Sequence, residues 1–124
     1  MMVDSMNINQ GEIWLVKFYP QVGNEITKLR PAIVVSHNKI GKLPLKTIVP
    51  ITQWSDKYAL YPWIVKLEEN RENGLSKKSA VDCFQIKNFS NDRFEQKIGF
   101  IDDATLTNIH ATILKTLNPM YRII

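Results

Sequence analysis

The chain has 124 residues, 44% of them hydrophobic and 23% charged, with a net charge of +4. That length suits one domain, 1–124, and the balance is globular, not disordered. No run approaches the ~18 apolar residues of a membrane span, and MMVDSMNINQ lacks the basic and apolar regions of a secretory leader. Cys83 is the single cysteine, so no intrachain disulfide can form and a reducing compartment is expected. Between Thr27 and Thr47 lie Lys28, Arg30, Lys39, Lys42 and Lys46 with no acidic residue. That cluster suits either an anionic partner or a solvated lysine-rich loop.

Residues 1–9 read as a flexible or edge segment. Gly11–Tyr19 opens on a turn residue and continues EIWLVKFY, whose aromatic and β-branched content predicts a strand that Pro20 ends. Ala32–Ser36 (AIVVS) predicts a second strand with Pro31 at its first position. The connection Val22–Pro31 is longer than a hairpin requires. HNKIGKLPLK follows as a loop broken by Gly41 and Pro44, then Thr47–Thr52 (TIVPIT) as a third strand. Pro50 inside it predicts an edge or a bulge.

Tyr61–Leu67 predicts a fourth strand, EENRENG a polar turn closed by Gly74, and Ser79–Phe89 a fifth strand. SNDRFEQ can start a turn of helix at its serine–asparagine–aspartate cluster, and KIGFI makes a short sixth strand. The period then changes. Leu106, Ile109, Ile113 and Leu117 are spaced for one helical face. Asp102 is placed to cap that helix, Asp103 and Lys115 complement its dipole, and Asn118 and Pro119 stop it. The expectation is a mainly β (α+β) domain, a small, curled, mostly antiparallel sheet closed at one end by a helix.

The chain has no P-loop, no dinucleotide fingerprint and no zinc-type cysteine cluster. His110 reads as a half-buried structural residue, His37 as a turn residue and Cys83 as buried. What remains is the loop Val22–Pro31 and the end of the third strand. Gly23 permits positive φ. Glu25 offers a proton acceptor, Lys28 a mobile cation and Arg30 a planar fork that matches phosphate oxygens. Thr52 and Gln53 add hydrogen-bonding groups. These are the parts of a phosphodiester site. Taken alone, the spacing better suits an exposed Glu25–Lys28 pair and an Arg30 that ties a strand to a neighbouring carboxylate.

The order of these residues resembles the MazF/PemK family of toxin ribonucleases. The resemblance is carried by Gly11, Glu12, Ile13, Pro20, Gly23, Glu25, Arg30 and Pro31, then by IVPIT at Ile48–Thr52 and by SAVDCFQIKNFSNDR, about nine tenths of the chain in order. It implies a small SH3-like, PemK/MazF-type β-barrel of six to seven strands, with a C-terminal helix and one or two short helices. It implies a cytoplasmic homodimer with no membrane association that cleaves single-stranded mRNA at short sequences, without a metal or other cofactor. Products would carry 2′,3′-cyclic phosphate and 5′-hydroxyl ends, and a cognate antitoxin would cover the RNA site. On this reading Arg30, Thr52 and Glu25 are catalytic, with Glu25 the general base. Lys28, Gln53, Trp54, Ser79, Gln85, Lys87 and Tyr19 bind substrate, and Val22–Pro31 is a flap hinged at Gly23. Trp54 is open to packing instead of stacking, and Ser79 and Gln85 to satisfying backbone groups. Tyr19, Lys87 and Asn88–Phe89 depart from the family pattern and bear on which bases are recognised. The alternative is a non-catalytic member that binds RNA or a gyrase-like protein.

Overall fold

The computed structural model describes residues 7–18, 29–40 and 43–118. Strands β1 (Glu12–Lys17), β2 (Leu29–Val34) and β3 (Leu45–Gln53) precede a 3-10 turn at Asp56–Leu60. Strands β4 (Ile64–Leu67), β5 (Ser79–Asp82) and β6 (Lys87–Ser90) lead to a second 3-10 turn at Asn91–Arg93, then β7 (Phe94–Phe100) and helix α1 (Asp103–Leu117). Every pairing is antiparallel, in the order β4-β5-β3-β2-β1-β7, with β6 on β3. The path is an open, coiled seven-stranded sheet. Pro20, Gly41, Lys42 and Pro119 fall outside the described residues.

β3 is the strand on which the sheet turns. Its first half, Leu45–Ile48, pairs β6, and its second half, Ile51–Gln53, pairs β5. Val49 and Pro50 lie in the gap between those pairings, so the missing N–H of Pro50 is tolerated inside a strand that is laddered elsewhere. Pro31 is accommodated in the same way. It pairs Leu15 of β1, whereas the β2–β3 pairing begins only at Ala32.

β2 therefore starts at Leu29, before the proline, and Arg30 stands on a strand opposite Val16 instead of in the loop. The expected fifth strand is two. Asp82 breaks it by accepting the Phe84 N–H on its side chain (3.1 Å) and the Gln85 N–H on its carbonyl (3.3 Å). β7 starts at Phe94, three residues before the expected KIGFI.

Both faces of the sheet are apolar, which is why AIVVS reads as a continuous run. Ile13, Ile33, Val49 and Ile51 face one core with Ile109 of α1. Trp14, Ala32, Val34 and Ile48 face a second with Phe94 and Ile8. Ile109 is fully buried, worth roughly 1.5–3 kcal/mol against exposure. Leu106 and Ile113 pack beside it, whereas Leu117 is 68% exposed, so the predicted apolar stripe runs out at the last turn. Asp102 caps α1 by accepting the Thr105 N–H (2.7 Å), and Asn118 ends it in the left-handed region at φ 46°.

No helix among the described residues is long and apolar enough to cross a membrane.

Candidate active-site cleft

The β2–β3 register explains why Arg30 and Thr52 line one cleft. Ala32 opposes Pro50 in that ladder. Continuing the same register sets Pro31 against Ile51 and Arg30 against Thr52. Here the strands part, because β2 is held by β1 at Val16–Arg30 while β3 is held by β5 at Thr52–Ala80. The wedge between them is a cleft of about 460 Å³. Arg30 and Pro31 line it from β2, and Ile51, Thr52 and Gln53 from β3.

Leu75, Ser76, Lys77 and Ser79 supply the opposite wall. A backbone-dense corner holds that wall. Gly74 adopts φ 68°, and a Cβ there would come within 2.0 Å of the Ile98 carbonyl oxygen. A Cβ on Gly99 would lie 2.4 Å from backbone atoms of Glu72 and Asn73. The Asn73 side chain is buried and bonded at both its oxygen and its nitrogen. It donates to the Glu68 carbonyl (2.8 Å) and accepts from the N–H groups of Asn70 and Leu75 (both 3.0 Å). Leu75 is thus delivered to the cleft by a fixed loop.

Arg30, Thr52 and Gln53 are exposed to solvent. Among the described residues, Arg30 and Lys77 are the charged groups of the lining. Among the described residues the ion pairs are Lys17–Glu95, Lys66–Glu68 and Lys97–Glu12, so none of these carboxylates ties down Arg30. A cationic cleft with a hydroxyl and an amide at one end is suited to an anion with several acceptor oxygens.

The sequence profile described as "PemK-like, MazF-like toxin of type II toxin-antitoxin system" matches residues 9–117. The chain belongs to this PemK/MazF toxin family. It is similar to Endoribonuclease MazF9 of Mycobacterium tuberculosis, 30% identical over 108 residues that span 82% of this chain and 89% of that protein. In fold it is similar to MazF of Deinococcus radiodurans, with a TM-score of 0.70 at 20% identity covering 90% of this chain and 97% of that one. It is also similar in fold to a mycobacterial endoribonuclease solved in complex with its cognate antitoxin, with a TM-score of 0.70 at 16% identity covering 94% and 100%.

In this PemK/MazF-family chain, the residues expected to form the site divide into four groups. Arg30, Thr52, Gln53 and Ser79 share the cleft. Ser79 is buried and its hydroxyl donates to the Lys77 carbonyl (2.9 Å), so it also braces the wall. Trp54 stands just beyond, its ring against Tyr58 and under Lys66. Gln85 and Lys87 lie off the cleft, Gln85 bonded to Asp82 in the β5–β6 turn (2.8 Å) and Lys87 opposite Ile48 in β6. Tyr19, Gly23, Glu25 and Lys28 fall outside the described residues.

Lys77, with Ser76 and Leu75, is what sequence reasoning missed. Its signal was the pair Lys77–Lys78 just before Ser79. The other titratable candidates are structural. Burial, with the Asp82 carboxylate second, pushes the Cys83 thiol up to about 12, so it stays protonated and inert. His110 Nε2 lies 2.9 Å from the Val35 carbonyl, and His37 Nδ1 accepts the Lys39 N–H in a turn (3.1 Å).

Proposed function

We propose that this chain is a sequence-specific, ribosome-independent endoribonuclease toxin that cleaves single-stranded mRNA. The observation that carries this reading is the cleft that Arg30 and Lys77 line together with Thr52 and Gln53. In the proposed reaction the substrate's own 2′-hydroxyl attacks the adjacent phosphorus. The P–O5′ bond breaks, and the products are a 2′,3′-cyclic phosphate and a 5′-hydroxyl. No protein nucleophile or metal takes part. Arg30 stabilises the charge that develops on the phosphorane, and Thr52 donates a hydrogen bond to the same phosphate. Glu25 accepts the 2′-hydroxyl proton, and solvent water donates a proton to the departing 5′-oxygen. Lys28, Gln53 and Ser79 contact the nucleotides around the cut, and Trp54 or Tyr19 stacks on an unpaired base. Gln85 and Lys87 serve nucleotides beyond the cleft.

The protein would act in the cytoplasm as a homodimer, held inactive by a cognate antitoxin. The antitoxin-bound mycobacterial relative supports that part of the reading.

Purified protein incubated with a long RNA in EDTA provides the test. Discrete cuts at a recurring short motif are expected. Intact RNA with tight binding would instead favour a non-catalytic binding module. Replacing the ribose at the cut position by 2′-deoxyribose should abolish cleavage there, and undiminished cutting would sink the 2′-hydroxyl mechanism.

A further inference from the structure

Residues 54–63 read WSDKYALYPW, four aromatics in ten positions. The 3-10 turn Asp56–Leu60 brings them into line. The Tyr58 N–H bonds the Ser55 carbonyl (2.9 Å), the Tyr61 N–H bonds the Tyr58 carbonyl (3.0 Å) and the Ile64 N–H bonds the Tyr61 carbonyl (3.2 Å). The four rings then touch in sequence. Centroids of Trp54 and Tyr58 lie 6.0 Å apart, Tyr58 and Tyr61 6.0 Å, and Tyr61 and Trp63 4.9 Å, the last pair within 7° of parallel.

None of these rings belongs to either core cluster, and the 3-10 turn contributes no buried residue. Trp54, Tyr58 and Tyr61 are half-buried and Trp63 is exposed, so part of the strip stays open to a ligand. Two ammonium groups lie over the strip, Lys66 5.1 Å from the Trp54 ring and Lys57 5.5 Å from the Tyr58 ring. Glu68 reaches Lys66 at 3.7 Å, and Asp56 accepts the Trp54 indole N–H at 3.3 Å. Lys77 and Lys78 adjoin the strip at its start, because the Trp54 N–H donates to the Lys78 carbonyl (3.0 Å). The local balance is thus cationic. The strip also begins where the cleft ends, since Gln53 lines the cleft and Trp54 is the next residue.

We propose that Trp54, Tyr58, Tyr61 and Trp63, with Lys57 and Lys66, form a second RNA subsite that stacks unpaired bases flanking the cleaved phosphate. The proposal rests on the ribonuclease reading above and extends it. Flat ring faces interleaved with ammonium groups match the alternation of base and phosphate along a single strand. Interface centres between proteins are rich in Tyr and Trp but depleted in lysine, so it is Lys57 and Lys66 over the rings that favour a nucleic acid over a second copy or a folded partner on this strip. Stacking accepts any base, so the subsite raises affinity for longer RNA without choosing the cut sequence.

Cleavage of two RNAs by the full-length protein tests this. One is a minimal oligonucleotide containing the cut motif, and the other carries the same motif extended by unpaired nucleotides on both sides. The extended RNA should show a KM lower by about tenfold, from roughly one well-stacked base. Tyr58→Ala and the exposed Lys57→Glu should each erase most of that length advantage. An advantage unchanged in both folded variants overturns the proposal. So does a shift in sedimentation caused by Tyr58→Ala without any change in the advantage, which would mark a protein interface. If the wild-type protein cuts neither RNA, the ribonuclease reading fails separately. Binding of the extended oligonucleotide with a 2′-deoxy cut site then decides. Tighter binding than the minimal one, lost in Lys57→Glu, supports the subsite, and equal binding of both lengths overturns it.

Discussion

The cleft and the aromatic strip meet between Gln53 and Trp54, and they are built differently. Arg30 and Thr52 sit on strands that are each laddered on the edge facing away from the cleft, to β1 and to β5. Their backbones are fixed while their side chains face open space. Tyr58 sits on a single 3-10 turn and Trp63 just ahead of β4, and their rings are ordered mainly by one another. Phosphate chemistry needs preorganised groups, because misplacement forfeits transition-state stabilisation. Stacking needs only a flat face and tolerates a less rigid support. On the proposed reading, turnover belongs to the cleft and grip to the strip.

The sharpest way to break this division is Arg30→Ala. Loss of a preorganised charge-stabilising group should lower the cleavage rate by ~10²–10³-fold, read in single-turnover assays. Binding of the extended RNA, read by fluorescence anisotropy, should fall far less. Comparable losses in both would show that cleft and strip are one binding surface.

A smaller effect is expected from Asn73→Ala. The buried amide satisfies the Glu68 carbonyl and the N–H groups of Asn70 and Leu75, and leaving these unpaired costs about 1–3 kcal/mol. Thermal unfolding should show the loss. Cleavage of the minimal oligonucleotide should fall with it, because the Leu75–Lys77 wall loosens, while the length advantage from the strip persists.

The smallest effect concerns Glu12, far from both regions in its role. Burial raises its pKa. Hydrogen bonds from Lys97 (2.8 Å), the Asn9 N–H (2.8 Å) and the Trp14 indole (3.1 Å), with the Lys97 charge, outweigh burial and leave it below the usual carboxylate range. A depressed folded-state pKa contributes stability that is complete above the unfolded-state value and lost as pH falls through the folded one. Glu12→Gln should therefore unfold at lower temperature than wild type at neutral pH, with the gap closing in acid. A gap independent of pH would remove ionisation from the account.

How far the residues announced all this varies along the chain. Helix α1 was legible in full apart from Leu117, since its cap, its period and its stop are all local signals. β1, β2 and β3 were legible in kind, though Arg30 was placed in a loop. Pro31 looks like a strand start until the lopsided pairing of β2 is known. SAVDCFQIKNF reads as one strand because its apolar run is continuous. The side-chain turn at Asp82 outweighs that pattern. Gln85 and Lys87 followed the family order into the expected site, yet the turn points that segment to another part of the sheet.

The sequence by itself determined the family, the mainly antiparallel β class and the capped helix. These rest on local periodicity, caps and the order of motifs, which need no contacts to be read. Only the tertiary structure decided that β3 changes partners at Pro50, and that β2 and β3 part where Arg30 faces Thr52. It alone brought Lys77 to the opposite wall and lined up four aromatic rings beside it. All but the ring alignment, which the local 3-10 turn sets, are consequences of pairing between residues distant in the chain, and no local pattern encodes which edge of a strand stays open.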